Sequence, residues 1–137
     1  MGITHILCAV DGSEPSLRAV ALGAQIASSL GAALTIASVR CFHTDRTALA
    51  GIQTPEEVDK VLAGALDVSR ENGFDTAKAV QISARDAAVA IADYADEFSV
   101  DLIFVGSTGK DAFRRFAMGS TSLDLMRKSS CPVTIVH

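Results

Sequence analysis

Apolar residues along this chain fall into five short runs, which are separated by longer segments where apolar residues recur every three or four positions. A short continuous apolar run is typical of a strand buried on both faces, whereas the longer period is that of an amphipathic helix. The runs cover residues 5–10, 33–39, 77–82, 102–105 and 133–136. Strands that alternate with helices predict an open parallel sheet covered on both faces, an α/β fold in a single domain over residues 1–137.

Local signals place the first two helices. Pro15 stands at a first helical position, and Gly31 has the place of a C-cap. Thr54-Pro55-Glu56-Glu57 has the sequence of a capping box, and Asn72-Gly73 ends the helix that follows it. The residues predicted to face the sheet are Leu17, Val20, Ala24, Ala27 and Leu30 in the first helix, and Val58, Val61, Leu62, Ala65 and Leu66 in the second. The connection Arg40 to Gln53 is longer than usual and is expected to be mobile or a lid.

Two further helices complete the alternation. Asp86 is predicted to cap the third, and the fourth is expected to open at Gly119-Ser120-Thr121 and to end near Lys128. The third helix carries Val89, Ala92 and Ala95, and the helical pattern of the fourth includes Leu123, Leu125 and Met126.

A glycine-rich stretch follows the fourth strand directly. Gly106 and Gly109 leave the strand, and Gly119, Ser120 and Thr121 precede the last helical pattern. Glycines let backbone N–H groups approach a ligand without a side chain in the way. A helix N-terminus adds unpaired N–H donors and the positive end of the helix dipole, so a phosphate is the expected ligand. An ordinary strand-to-helix turn also uses such residues. The spacing does not fit a Walker P-loop, because only two residues separate Gly106 from Gly109 and Asp111 follows Lys110.

Asp11 lies at the carboxyl end of the first strand, where ligands bind in open α/β sheets. Its carboxylate either caps the following helix or accepts hydrogen bonds from a ribose. If the first and fourth strands flank the point where strand order reverses, Asp11 and Gly106 meet there.

Composition narrows the function. The 137 residues carry 12 basic and 16 acidic side chains, and this net charge of −4 argues against nucleic-acid or membrane-surface partners. Basic residues gather locally around Lys110, where one of them is a candidate phosphate ligand. The three cysteines form no CxxC pair, Cys8 is expected in the core, and no signal segment or membrane span is apparent, so a cytoplasmic protein is expected.

The candidate catalytic residues and motifs in the sequence favour a binding protein over a rapid catalyst. No G-x-S-x-G nucleophile elbow occurs, and the three histidines share no spacing that suggests a metal site or a triad. His5, which lies in the first strand, is expected to be satisfied by neighbouring groups. Asp11 and Asp111 are the only carboxylates near the glycine stretch that resemble a positioned base.

The pattern Gly106-x2-Gly109-x9-Gly119-Ser120 resembles that of the universal stress protein family, in its ATP-binding branch. Val10-Asp11-Gly12-Ser13, Arg115 and Cys131-Pro132-Val133 agree with the family over nearly the whole chain. The resemblance implies a Rossmann-like fold of the adenine nucleotide alpha hydrolase type with strand order 3-2-1-4-5. It also implies a homodimer, paired through Val133 to Val136, that acts in stress response.

The resemblance further implies a binding role for particular residues. Gly106, Ser107, Gly109, Lys110, Gly119 and Ser120 would hold ribose and phosphates of ATP, AMP or ADP, with help from the Thr121 amide. Asp11 would meet the ribose or adenine side, Ala9 and Val10 would line the base pocket, and Val39 would bond adenine through its backbone. Mg or Mn would accompany the phosphates. Arg85-Asp86-Ala87 and Thr108 depart from the usual family residues.

Three functions stay open at this point. The first is an ATP-binding regulatory dimer, the second a slow ATPase or autokinase that uses Ser120 or Thr121, and the third a nucleotide-free dimerisation module of the same fold.

Overall fold

The computed structural model describes residues 2–41, 54–107 and 117–137, with the backbone alone for residues 117–120. Its strands are β1 (His5–Ala9), β2 (Ala33–Cys41), β3 (Lys78–Ala84), β4 (Leu102–Gly106) and β5 (Val133–Val136). They form one parallel sheet in the order β3-β2-β1-β4-β5. The five predicted strands and the strand order implied by the resemblance are therefore confirmed.

Four helices connect the strands: α1 (Glu14–Leu30), α2 (Pro55–Glu71), α3 (Ala87–Glu97) and α4 (Ala117–Lys128). Gly31 closes α1 in the left-handed region at φ 69°, as a C-cap glycine does. The Thr54 and Glu57 side chains form the predicted capping box of α2, and the Asp86 carboxylate accepts from the Val89 amide at the start of α3. The helix-start signals of the sequence thus act as predicted.

The sheet separates two apolar cores, because successive side chains of a strand point to opposite faces. Ile6 and Cys8 of β1 pack on the side of α1 and α2, with Phe104 of β4. Leu7 points to the other side and packs with Ile103 and with residues of α3 and α4. Helices cover both faces, as expected.

Several residues of the apolar helical patterns are exposed in the structure. The first helix ends with Leu30 exposed, and Val89 is 38% exposed on α3, which buries Ala88, Ile91, Ala92 and Ala95 instead. The alanines let α3 lie close to the sheet, so the buried stripe is rotated away from Val89.

The last helix differs in its start as well as its face. It begins at Ala117, two residues before the predicted opening at Gly119, and it buries Leu125 together with Ser122. Leu123 and Met126 are about half exposed, at 50% and 48%. Residues 42–53, which make up most of the connection predicted to be mobile or a lid, lie outside the described residues.

Candidate functional site

The strand order reverses at β1, which has β2 on one side and β4 on the other. Ala9, the last residue of β1, pairs with Ala37 of β2 and with Val105 of β4. The chain leaves β1 towards α1 on one face and leaves β4 towards α4 on the other, so a crevice opens beyond these strand ends. The condition set for Asp11 and Gly106 to meet, neighbouring first and fourth strands, is confirmed.

Ser16 in the first turn of α1 lies beside both residues. The Asp11 amide donates to Ser16 Oγ at 3.4 Å, and a Cβ built on Gly106 would stand 2.6 Å from the Ser16 amide nitrogen. The strand ends and the start of α1 therefore form one compact group, which holds Asp11 at the mouth of the crevice.

Asp11 orders the turn that enters α1. Its Oδ1 accepts from the Ser13 amide at 2.9 Å, while the Ser13 side chain is the N-cap of α1 and accepts from the Ser16 amide. The expectation that Asp11 itself caps the helix is wrong, since Ser13 has that position. The half-buried Asp11 carboxylate keeps its place at the strand end because the turn is held from within.

Gly106 has a packing reason to be glycine. A side chain there would meet three atoms of α1: the Ser16 nitrogen at 2.6 Å, the Pro15 carbonyl carbon at 2.8 Å and Pro15 Cβ at 3.0 Å. Two of these are backbone atoms, so a methyl group has no space unless α1 moves. The first glycine of the motif thus allows α1 to pack closely against the end of β4, a role that the sequence pattern did not reveal.

Two buried hydroxyls complete the strand ends at the crevice. Ser38 of β2 donates to the Val10 carbonyl, and Ser122 of α4 donates to the Gly106 carbonyl, each at 2.9 Å. Both serines are nearly inaccessible, with exposed fractions of 2% and 7%. Sequence reasoning missed them, although a serine inside an apolar strand or on the sheet side of a helix is the available signal.

One of the amides predicted to face phosphate is used by the protein itself. The Ser107 amide donates to the Val136 carbonyl at 2.7 Å and so extends the pairing of β4 with β5. Thr121 is the fifth residue of α4 as the structure describes that helix. The contact of its amide with a phosphate stays a prediction.

Of the remaining motif residues, the structure describes the positions of some and leaves others outside the described ranges. Gly119 and Ser120 lie in the first turn of α4 as the structure describes that helix. Gly109 and Lys110 lie outside the described residues. The helix that carries Gly119 is attached through Ser122 to the end of β4, which keeps its N-terminal part beside the crevice.

Strand β2 runs two residues beyond Val39 and past the end of β1. The Ala33 amide donates to Thr4 and the Ala37 carbonyl accepts from Val10, so odd-numbered residues of β2 direct their backbone groups towards β1. By this alternation the N–H and C=O of Val39 point into the space beyond β1. That is where the resemblance expects a backbone contact to adenine.

The side chains assigned to the base pocket lie on different faces. Ala9 and Val39 are half-buried on the side of α3 and α4, so both can border a ligand at the crevice. Val10 is 5% exposed and packs in the core beneath α1 and α2. The Val10 side chain belongs to this core, and the place of Val10 in the base pocket stays a prediction.

Titratable groups near the sheet serve the fold. Burial raises the pKa of the Cys8 thiol to about 12, as expected for a core cysteine. His5 Nδ1 donates to the Phe98 carbonyl at 3.1 Å and Nε2 lies 2.8 Å from the Thr35 hydroxyl, which confirms that its neighbours satisfy it. Three hydrogen bonds from Thr4 and His5 lower the pKa of Asp101 at the opposite edge of the sheet from the crevice.

A cavity of about 410 Å³ lies beside the edge strand β3 and the outer face of α3. Ile82, Ser83, Arg85, Val89 and Tyr94 are among the residues that line it. No residue of β1 or β4 borders it. Its lining residue Ile82 pairs with Val39 of β2, so the cavity lies on the outer side of the strand that carries Val39.

Across residues 2–41, 54–107 and 117–137, no three His, Cys, Asp or Glu side chains are grouped as a metal site would require. The helices in the same part of the chain are all too short or too polar to cross a bilayer. The three cysteines, all of which are described, are free thiols.

Comparison with known proteins agrees with this architecture. Residues 2–137 match the model of the universal stress protein family. Universal stress protein YxiE of Bacillus subtilis is 30% identical over 146 aligned residues, which cover 96% of this chain and 97% of that protein.

Solved structures of related proteins have the same fold. A universal stress protein crystallised in complex with cAMP is 26% identical, with a TM-score of 0.77 over 100% of this chain and 99% of that one. Universal stress protein UspA from Lactobacillus plantarum is 28% identical, with a TM-score of 0.72 and the same coverage of both chains.

Proposed function

This chain belongs to the universal stress protein family, and we propose from that membership that it is an ATP-binding regulatory protein of the cytoplasmic stress response. The observation that carries the proposal is the crevice where β1 and β4 end side by side, with Asp11 and Gly106 grouped around Ser16. A 26% identical relative of the same fold binds cAMP, which supports an adenine nucleotide as the ligand class.

The described residues suit the adenosine part of the ligand. The backbone N–H and C=O of Val39 point beyond the end of β1, which is the donor and acceptor pair that an adenine edge requires. The Asp11 carboxylate at the same edge suits ribose hydroxyl groups. In this proposal the base lies against β2 and the ribose lies over the end of β1.

The phosphates would extend from there towards α4. Gly119 lies in the N-terminal part of α4, and a helix N-terminus attracts negative charge. We assign Gly109, Lys110 and Ser120 to the same phosphate site on the strength of the motif, and Mg or Mn would neutralise part of the charge that the phosphates bring. The Ser107 side chain, which follows β4, completes the set.

Isothermal titration with Mg-ATP, AMP and cAMP tests this proposal. We expect saturable heat for ATP, and loss of that heat in Gly109→Val, because a branched side chain would occupy phosphate space. Gly2→Val is the matched control, since a side chain at Gly2 meets nothing within 4 Å. Absence of heat and of competition at millimolar ATP in the folded wild-type protein would reject nucleotide binding.

Mass spectrometry of the gently purified protein separates the binding protein from a nucleotide-free module. Co-purified ATP or AMP supports the proposal. A homogeneous apoprotein that also fails the titration favours the module.

We also propose that the functional unit is a homodimer formed through Val133 to Val136. Strand β5 is an edge strand, and all four of its residues are half-exposed although three of them are apolar. The Ile103 and Ser107 amides donate to Pro132 and Val136, so the backbone groups of Val133 and Ile135 point outward. The exposed Leu123 and Met126 of α4 precede this strand and would add apolar area.

Sedimentation velocity tests the dimer. Leu123→Lys combined with Met126→Lys should shift the protein towards monomer, because both side chains are already half-exposed and the fold tolerates the change. Leu30→Lys, at a residue 53% exposed at the end of α1, should leave the dimer intact. A wild-type protein that sediments as a monomer at high concentration contradicts the proposal.

A further inference from the structure

The cavity beside β3 is an open groove rather than a closed pocket for a compact ligand. One wall is the end of β3 from Ile82 to Ala84, and the other is the outer face of α3. Ile82, Val89 and the Tyr94 ring give it an apolar floor, and Val89 is 38% exposed there. A volume of about 410 Å³ accommodates several side chains of an extended chain.

Strand β3 presents unused backbone groups along this groove. Even-numbered residues of β2 direct their backbone groups towards β3, because the odd-numbered ones face β1. With Ser38 opposite Gln81 and Arg40 opposite Ser83, the even-numbered residues of β3 complete that ladder. The N–H and C=O groups of Ala79, Gln81 and Ser83 consequently point away from the sheet, where an added strand would pair.

Negative charge dominates the groove wall formed by α3. Among the lining residues, Asp86, Asp93 and Glu97 are acidic and Arg85 is basic. Lys78 of β3 has its Nζ 5.8 Å from the centre of the Phe98 ring, which follows Glu97 in the chain. Asp93 and Glu97 are one helical turn apart, and within the described part of the chain neither takes part in an ion pair. The wall therefore complements a cationic occupant.

The same charges disfavour two other occupants. A second copy of this chain pairing β3 with β3 would bring the Asp93 and Glu97 carboxylates of both copies together, and like charges so placed are repulsive. A nucleotide would bring phosphate charge against the same carboxylates. The groove is thus suited neither to the dimer nor to the ligand proposed above.

We propose that the β3 edge and the outer face of α3 form a docking site for an extended basic segment of a partner protein. The segment adds to the sheet as a sixth strand, with its backbone on Gln81 and Ser83. Its lysine or arginine side chains lie against Asp93 and Glu97, and its apolar side chains cover Ile82 and Val89.

Fluorescence anisotropy with a short labelled peptide of alternating lysine and valine tests the proposal on the full chain. We expect saturable binding that weakens as salt rises, because exposed charge pairs are screened. A peptide of alternating glutamate and valine is the matched probe and should bind at least about tenfold more weakly.

Two variants separate the charge from the backbone contribution. Asp93→Lys with Glu97→Lys should weaken the lysine peptide by at least about tenfold, whereas Glu71→Lys on α2 should leave its affinity unchanged. Ser83→Pro removes an outward N–H without removing a bond to β2, and an edge strand tolerates proline at such a place. It should weaken the peptide by about fivefold to tenfold.

Amide hydrogen exchange gives an independent readout in the wild-type protein. The Gln81 and Ser83 amides should exchange more slowly when the lysine peptide is bound, because an added strand accepts their hydrogen bonds. No anisotropy change at millimolar lysine peptide overturns the proposal. Equal affinity for both peptides, or unchanged exchange at Gln81 and Ser83 in the saturated complex, also overturns it.

Discussion

Replacing Gly106 by alanine tests why the first residue of the motif is glycine. The residue is needed either because α1 packs closely against it or because a ligand approaches the backbone there. A methyl group there would stand 2.6 Å from the Ser16 nitrogen and 2.8 Å from the Pro15 carbonyl carbon. To bring the new methyl carbon and the Ser16 nitrogen to an ordinary contact distance of 3.4 Å, the start of α1 must move by about 0.8 Å. The obstacle is backbone, so no side-chain rotation can provide that space.

The expected cost follows from known overpacking effects. An extra methyl in a close-packed interior costs about 1–3 kcal/mol, and contact with backbone places this case near the upper limit. Alanine also lowers the conformational entropy of the unfolded chain relative to glycine, which offsets about 0.4–1 kcal/mol of that loss in stability. We therefore expect Gly106→Ala to lower the free energy of unfolding by about 2 kcal/mol, which shifts the urea midpoint by about 1 M for a protein of this size.

Urea denaturation followed by circular dichroism measures this change. Gly64→Ala is the matched control: a side chain at Gly64 meets nothing within 4 Å, and Gly64 lies inside α2, where alanine should raise stability by about 0.5–1 kcal/mol. If Gly106→Ala is as stable as wild type and loses only nucleotide binding, the packing explanation of Gly106 is refuted.

Three further predictions concern stability. Gly23→Ala should cost about 1–3 kcal/mol in urea denaturation, because its Cβ would lie 2.6 Å from Cys8 Sγ, and adding Cys8→Ala should recover part of that loss in a double-mutant cycle. The folded protein lowers the pKa of Asp101, so the ionised carboxylate stabilises the fold above pH about 4, and this stabilisation is lost as pH falls through the folded-state pKa. In thermal melts, Asp101→Asn should be less stable than wild type at neutral pH. Its melting temperature should also fall less than that of wild type as the pH is lowered. Thr54→Ala should lower the free energy of unfolding by about 1 kcal/mol in urea, and no loss would show that the capping box contributes nothing.

The sequence predicted the strands and helix caps because their signals are local. An apolar run bounded by turn residues and a Thr54 to Glu57 capping box specify structure within a few residues. The face of a short alanine-rich helix is set differently. On α3, Val89 and Ile91 are equally apolar, and close packing of alanines against the sheet decides which one is buried.

The candidate site was predicted only in part for a similar reason. That Asp11 and Gly106 lie at neighbouring strand ends follows from strand order, which the family resemblance implied. The roles of Ser38 and Ser122 depend on which carbonyl each hydroxyl reaches, and such a bond joins residues far apart in the chain. Ser107 likewise follows a glycine-loop pattern, yet its amide extends a sheet ladder.

The hydrogen bond from Ser122 to the Gly106 carbonyl has a bearing on how the motif can vary. It joins α4 directly to the end of β4, across a connection of ten residues, 107–116. The position of the last helix on the sheet is therefore set by a bond between the two elements as well as by the chain that links them. Sequence changes within that connection leave this bond in place.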